Sequence, residues 1–198
     1  MSAPQATYDF PGATCISVNE EIAHGIPGER VLVPGDLVNI DVSASLDGYF
    51  ADTGATFGMG RVQPSLDRLC RDGRRATQIG IAQVGHGKPL AGIGNAIGAF
   101  AARHGYTLIR NLASHGVGRA LHEAPEEVPT WPTKGDKRRM HDGLVLTVEP
   151  FLSRGGTWAM SGPDDDWTLY SRPAAPVVQY EHTVVATRRG AIIVTLPG

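Results

Sequence analysis

Four carboxylates and one histidine carry the strongest chemical signal in this sequence: Asp41, Asp52, Glu149, Glu181 and His115. Each carboxylate lies in a stretch that otherwise reads as a β-strand. Aspartate is a poor strand former, so Asp41 and Asp52 in mid-strand need a reason. A glutamate inside an apolar strand is expelled from a core unless it is paired or holds a metal, and Glu181 sits within the apolar run Val177–Thr187. Glu149 closes another such run, where Pro150 cannot donate to a ladder and the strand stops as the carboxylate is presented. His115 precedes Gly116-Val117-Gly118, and glycine lets the backbone bend sharply and bring an imidazole close to a ligand. His122 follows seven residues later. Oxygen-rich ligation with one imidazole nitrogen suits Mn(II), Fe(II), Co(II) or Zn(II) rather than a thiolate-preferring ion.

The elements that must position these groups can be read in part. Leu37 to Ser43 alternates, with Val38, Ile40 and Val42 on one face and Asn39, Asp41 and Ser43 on the other. Asp47-Gly48 is a tight-turn signal, and Tyr49 to Phe57 returns as a second strand. With Asp47-Gly48 as the two turn residues, Leu46 faces Tyr49 and Ser43 faces Asp52. Asp41 is then a diagonal neighbour of Asp52 on the same face, roughly 7 to 8 Å away. Two carboxylates at that spacing can share cations; without a cation they repel and one pKa rises. A one-residue slip in the turn would put them on opposite faces, and a simple water-facing role for Asp41 stays open at this level.

Ser65 is placed to cap a helix with Leu66, Leu69, Cys70, Ala76 and Ile79 as its apolar positions, weakened at its centre by Gly73. A second helix fits Leu90 to His104, stopped by Gly105. Further strands are expected at Thr107 to Leu112, Leu144 to Glu149, Val177 to Thr187 and Ala191 to Leu196. Ser153 to Pro176 reads as a polar excursion, its Asp164-Asp165-Asp166 run as a solvated loop, and residues 1–9 as an irregular lead-in. The pattern is α+β: a mixed, mainly antiparallel sheet with two helices after the first hairpin, in one domain spanning residues 1–198.

The composition is that of an ordinary globular chain: 198 residues, 41% hydrophobic, 19% charged, net charge −2. So small a charge does not favour nucleic acid or a membrane surface as partner. Cys15 and Cys70 form no CxxC pair, the start MSAPQATYDF has neither a basic nor an apolar leader region, and no apolar run approaches a membrane span. The expectation is a cytoplasmic protein.

From Phe10 onward the chain resembles the type I methionine aminopeptidases, metallopeptidases of the pita-bread (creatinase/aminopeptidase-like) fold. The stretches that carry the resemblance are Cys15-Ile16-Ser17-Val18-Asn19-Glu20-Glu21, His24-Gly25-Ile26-Pro27, Val38-Asn39-Ile40-Asp41-Val42 and Asp52-Thr53. They continue with His115-Gly116-Val117-Gly118-Arg119, His122-Glu123, Thr147-Val148-Glu149-Pro150, Asp166-Trp167-Thr168 and Gln179-Tyr180-Glu181-His182-Thr183. The resemblance implies two divalent metal ions (Co, Mn, Fe or Zn) held by Asp41, Asp52, His115, Glu149 and Glu181, with Asp52 and Glu181 bridging. It implies His24 and His122 against substrate, Glu149 as general base, and Phe10, Cys15, Leu121 and Trp167 around the first side chain. The partners would be peptide or nascent-protein N-termini. A non-catalytic binding module and an Xaa-Pro peptidase of the same fold are the competing expectations.

Five features depart from the family pattern. The helices that precede the Phe10 region in the family have no counterpart here, so the first half is expected to be truncated. An apolar sheet face would then be exposed and open to self-association. Ser114 stands where the family has glycine before the histidine, and is compatible with that backbone if its φ is negative. The segment from Glu126 to Trp131 is longer by one residue and lacks its following histidine. Pro173 and Pro176 occupy the approach to Glu181. Leu121 stands where phenylalanine is more usual.

Overall fold

A computed structural model describes residues 1–196. The chain opens with helix α1 (Ala3–Tyr8), then short strands β1 (Cys15–Val18) and β2 (Glu21–Ala23), and the long hairpin β3 (Leu37–Leu46) and β4 (Tyr49–Gly58). Helices α2 (Pro64–Ile81) and α3 (Ala91–His104) follow, then β5 (Thr107–Leu108), β6 (Ser114–Gly116), β7 (Glu123–Val128), β8 (Val145–Val148) and β9 (Phe151–Ser153). The chain ends with β10 (Trp158–Ser161), β11 (Leu169–Arg172), β12 (Val177–Thr187) and β13 (Gly190–Ile193). The main sheet runs β1-β3-β4-β12-β8-β6-β7, with β13 and β9 also on β12 and β5 on β9. This is the pita-bread arrangement. Every strand pairing among the described residues is antiparallel, rather than mixed.

The hairpin register is the expected one. Leu46 pairs with Tyr49, Ser43 with Asp52 and Asp41 with Gly54. The turn holds because Asp47 and Gly48 both take positive φ, at 51° and 78°, which a two-residue turn matched to strand twist requires. On β12, Val178, Tyr180 and Val184 join the core under α2 and α3, while Gln179, Glu181 and Thr183 turn to the opposite, concave face. The core packs Leu69 and Ala76 of α2 and Ile93, Ile97 and Phe100 of α3 onto Leu146, Val148, Val178 and Tyr180. Each large side chain buried there stabilises the fold by about 1.5–3 kcal/mol. Gly73 is not a weak point of α2 but its contact with the sheet: a Cβ there would lie 2.6 Å from Val178.

The helices cover the β12–β8 side of the sheet only. Ile40 and Val42 on β3 and Phe57 on β4 point out the same way as the core residues and remain exposed. With Ala55, Tyr180 and His182 they line an open groove of about 650 Å³. Arg74, Thr77 and Gln78 of α2 form one wall of it, while Ile40, Val42 and Phe57 stay open to solvent. The usual amphipathic rule is inverted at this hairpin: its polar face is buried in the concave site and its apolar face meets solvent.

Several expectations need correction. Residues 1–9 are not irregular, since Ala3–Tyr8 is helical, with Pro4 in its first turn and Asp9 as a left-handed C-cap at φ 56°. Tertiary tethers hold this short helix: Ser2 bridges Ala44, and the Ser45 amide donates to the Met1 carbonyl at 3.0 Å. Helix α2 starts at Pro64 with Gln63 as N-cap, so Ser65 lies inside the first turn and caps nothing. The strand expected at Thr107 to Leu112 stops at Leu108, because Asn111 turns to bond Ala159 through both its amide groups. The excursion from Ser153 to Pro176 contains the β10–β11 hairpin, which joins β2 in a separate three-stranded sheet.

Candidate metal centre

The concave face gathers the five groups singled out above. Asp41, Gly54 and Glu181 lie side by side in one row across β3, β4 and β12. The middle position carries no side chain, and a Cβ there would run into the Gln179 amide. That amide holds the row in order. Gln179 Nε2 donates to Glu181 Oε2 at 2.8 Å, and Asn39 Nδ2 donates to Gln179 Oε1 at 2.8 Å. Asp52 lies opposite Ser43, whose hydroxyl donates to Asp52 Oδ1 at 2.9 Å. The Asp52 backbone is clamped by Thr183, which accepts from its N–H and donates to its carbonyl.

His115 and Glu149 reach the same point from β6 and the end of β8. His115 Nε2 stands 3.5 Å from Glu149 Oε1 and 4.0 Å from Asp52 Oδ2. Its Nδ1 lies 2.9 Å from the Gly116 carbonyl. A proton on Nδ1 leaves the Nε2 lone pair facing the carboxylates, the arrangement a metal-binding histidine uses. Thr147 serves both neighbours: its hydroxyl accepts from the His115 N–H at 3.0 Å and donates to Glu149 Oε1 at 2.7 Å. The backbone φ at Ser114 is not positive, so glycine is not required there, and its hydroxyl accepts from the Glu149 N–H at 3.0 Å.

So many buried acids in one place demand a counter-charge. Burial, then the charges of Asp52 and Glu149, hold the Asp41 carboxyl well above the usual range. Burial, then Asp52, Glu149 and Asp41, does the same to Glu181. Glu149 is pushed up to about 8, first by burial and then by Asp52, against the Thr147 hydrogen bond. Asp52 is raised by burial and moderated by Ser43. Glu181 Oε1 is buried with no hydrogen-bond partner. An orphaned carboxylate oxygen is costly unless something cationic meets it. Ligand atoms of Asp52, His115 and Glu181 all lie within 4.8 Å of one another. The donor chemistry and the orphaned oxygen fit a divalent metal ion.

Beside this cluster opens a cavity of about 420 Å³, with Asp41, Asp52, His115 and Glu149 on one side and Phe10, Cys15, Leu121 and Trp167 on another. Phe10 meets Trp167 edge to face, with centroids 5.3 Å apart. Trp167 is set by Asp165, whose Oδ1 accepts from its N–H at 2.7 Å, so the acidic run is a shaped turn and not merely a solvated loop. The Cys15 thiol is pushed up to about 12 by burial and by Asp41 and Asp52, and presents as an apolar wall. His24 lines the same cavity in a left-handed conformation, φ 55°. His122 stacks on His115 at 3.8 Å between centroids. Burial, then the neighbouring His115, drives the His122 pKa down to about 4, so its ring is neutral near pH 7. Reading the sequence missed Tyr8, Thr147, Gln179 and Ser43. A signal existed for two of them, since Thr147 and Gln179 each precede a site glutamate by two residues and so share its strand face.

A ten-stranded antiparallel sheet of this topology, with a buried carboxylate–imidazole centre on its concave face, defines a metal-dependent peptidase class. Residues 2–188 match the model of metallopeptidase family M24, and the chain belongs to that family. It is 44% identical over 196 residues to a methionine aminopeptidase of Staphylococcus epidermidis, spanning 98% of this chain and 78% of that one. It is 43% identical over 197 residues to methionine aminopeptidase 2 of Bacillus subtilis, with the same coverage. The crystal structure of methionine aminopeptidase from Rickettsia prowazekii superposes with a TM-score of 0.92 at 34% identity, covering 98% of this chain and 78% of that one.

Proposed function

We propose that this protein removes the N-terminal methionine from peptides and newly made proteins, using two divalent metal ions. The observation that carries the reading is the convergence of Asp41, Asp52, His115, Glu149 and Glu181 beside an apolar cavity, with Glu181 Oε1 left without a protein partner. Asp41, Asp52, His115, Glu149 and Glu181 would hold the metal pair, with Asp52, His115 and Glu181 bringing ligand atoms within 4.8 Å of one another. When bound, the pair supplies a hydroxide near neutral pH and a Lewis acid for the scissile carbonyl.

The chain's own groups supply the rest. Glu149 Oε1, oriented by Thr147, takes the proton of the attacking water as general base. His122 donates to the developing oxyanion, and His24 positions the scissile amide. Phe10, Cys15, Leu121 and Trp167 receive the first side chain, and a flexible thioether suits such an aromatic-lined cavity. No residue of the expected donor set is replaced, which supports catalysis over a purely binding role. Both cysteines are free, which fits a reducing, cytoplasmic setting. No helix among the described residues is long and apolar enough to cross a membrane.

The test is stripping with a chelator, titration with Mn(II) or Co(II), metal analysis, and release of free methionine from Met-Ala-Ser beside an Ala-Pro control. Two ions per chain and methionine release restored by metal are expected. Failure to bind metal at saturation, or a preference for the Ala-Pro substrate, would overturn the reading.

A further inference from the structure

Tyr8 is the last residue of α1, a helix that no sequence pattern announced. It is more than a passive wall residue. Its hydroxyl lies 2.5 Å from Nδ1 of His122, and its ring leans on the imidazole at 59°, with centroids 5.7 Å apart. The contact joins residues 114 positions apart, and α1 is fixed in place to make it. The Asp9 N–H donates back to Pro4, the Ser2 hydroxyl donates to Ala13 at 2.8 Å, and Ser2 bridges Ala44 on β3. Tyr8 itself is 42% exposed, so core packing does not explain the placement of its hydroxyl.

A neutral imidazole carries one proton on one of two nitrogens, and the hydrogen bond made by one nitrogen decides the character of the other. A phenol O–H donating into Nδ1 puts the ring proton on Nε2. His115 closes one face of the ring, so its orientation is held by a stack on one side and by the phenol at Nδ1. We propose that Tyr8 is a positioning residue that donates to Nδ1 of His122 and keeps a hydrogen-bond donor on His122 Nε2 for the substrate. The proposal rests on the reading of His122 as a group that contacts substrate.

The experiment compares wild type with Tyr8→Phe, which keeps the ring and deletes the donor. The first readout is the pair of His122 ring ¹⁵N chemical shifts in the metal-free protein, assigned by their loss in His122→Ala. Wild type should show Nδ1 as unprotonated and Nε2 as protonated, and Tyr8→Phe should move both towards a tautomer average. The second readout is steady-state kinetics of the Mn(II)-loaded enzymes on Met-Ala-Ser. A fall in kcat of about five- to tenfold is expected, the size of one lost hydrogen bond, with KM changed by less than about twofold because the deleted hydroxyl is engaged with His122 Nδ1 and the ring that lines the cavity is kept. Unchanged ring shifts overturn the proposal, even if kcat falls, because the hydroxyl would then not set the tautomer. Shifted rings with unchanged kcat overturn it too. If His122→Ala retains full activity, the reading of His122 fails separately, and the ring shifts still decide the Tyr8 contact.

Discussion

At the scale of single residues, this centre depends as much on the neutral groups around its acids as on the acids. Thr147 is the clearest case. It takes the His115 N–H and gives its own proton to Glu149 Oε1, so one hydroxyl orients a nitrogen donor and a carboxylate together. Thr147→Val keeps the shape and deletes both bonds, leaving a buried N–H unpaired. Stability of the metal-free protein should fall by about 1–3 kcal/mol. Metal affinity should fall by about 10–100-fold, as when a partner that orients metal-binding groups is lost. Chemical denaturation and competition with a chromogenic chelator would read the two separately, and an affinity equal to wild type would show that Thr147 does not orient the ligands. The carboxylates and His115 were legible in the sequence because charged groups in apolar strands are conspicuous. Thr147, Gln179 and Ser43 were not, because nothing in their own chemistry is unusual. Thr147 and Gln179 share a strand face with the glutamates they bond, and strand pairing adds what the sequence does not display: the His115 N–H on Thr147, Asn39 on Gln179, and Ser43 opposite Asp52.

At the scale of elements, legibility followed local chemistry. The β3–β4 hairpin could be read to the residue because Asp47-Gly48 admits one register and alternation confirms it. Helix α1 could not, since six residues cannot repay nucleation by themselves and its stability comes from tethers to β3. The β10–β11 hairpin was obscured by exposed Trp158 and Met160 and by the long acidic turn between its strands. Gly73 shows how far propensity alone can mislead. Read locally it weakens α2; in the structure it lets α2 approach β12, with Val178 2.6 Å and Tyr180 3.0 Å from where a Cβ would stand. Gly73→Ala raises helix propensity by about 1 kcal/mol, yet overpacking costs about 1–3 kcal/mol. The net expectation is a loss of stability, measured by urea unfolding. A stabilised variant would mean that the helix can move off the sheet without penalty. Gly54 is a second such position, because a methyl group there displaces the Gln179 amide that holds Glu181.

At the scale of the whole molecule, the sheet divides two unlike surfaces: a concave face crowded with acids and a convex face covered by α2 and α3 over β12 and β8 but open over Ile40, Val42 and Phe57. The acids make folding and metal binding respond to pH in opposite senses. Glu149 has its pKa raised from 4.5 to about 8, and Asp41, Asp52 and Glu181 shift the same way. The folded metal-free chain therefore binds more protons than the unfolded chain over that window, and its stability falls as pH rises through it. The histidines oppose this at the acid end. Burial lowers His24, His115, His122 and His182 below 6.5, so their contribution grows with pH and levels off above 6.5. Between 6.5 and about 8 the carboxylates dominate, and the melting temperature of the chelator-treated protein should decline across that interval. Metal binds the deprotonated carboxylates, so its apparent affinity should climb over the same interval. The Mn(II)-loaded protein should then show a flat or rising melting temperature, and the gap between the two curves should widen with pH. Thermal unfolding at fixed ionic strength, with and without Mn(II), measures both. Glu149→Gln should flatten the metal-free decline by removing one of the groups that titrates there. A metal-free protein that instead gained stability from pH 6.5 to 8 would show that these carboxylates stay charged in the fold, held by partners other than the protons they are expected to keep.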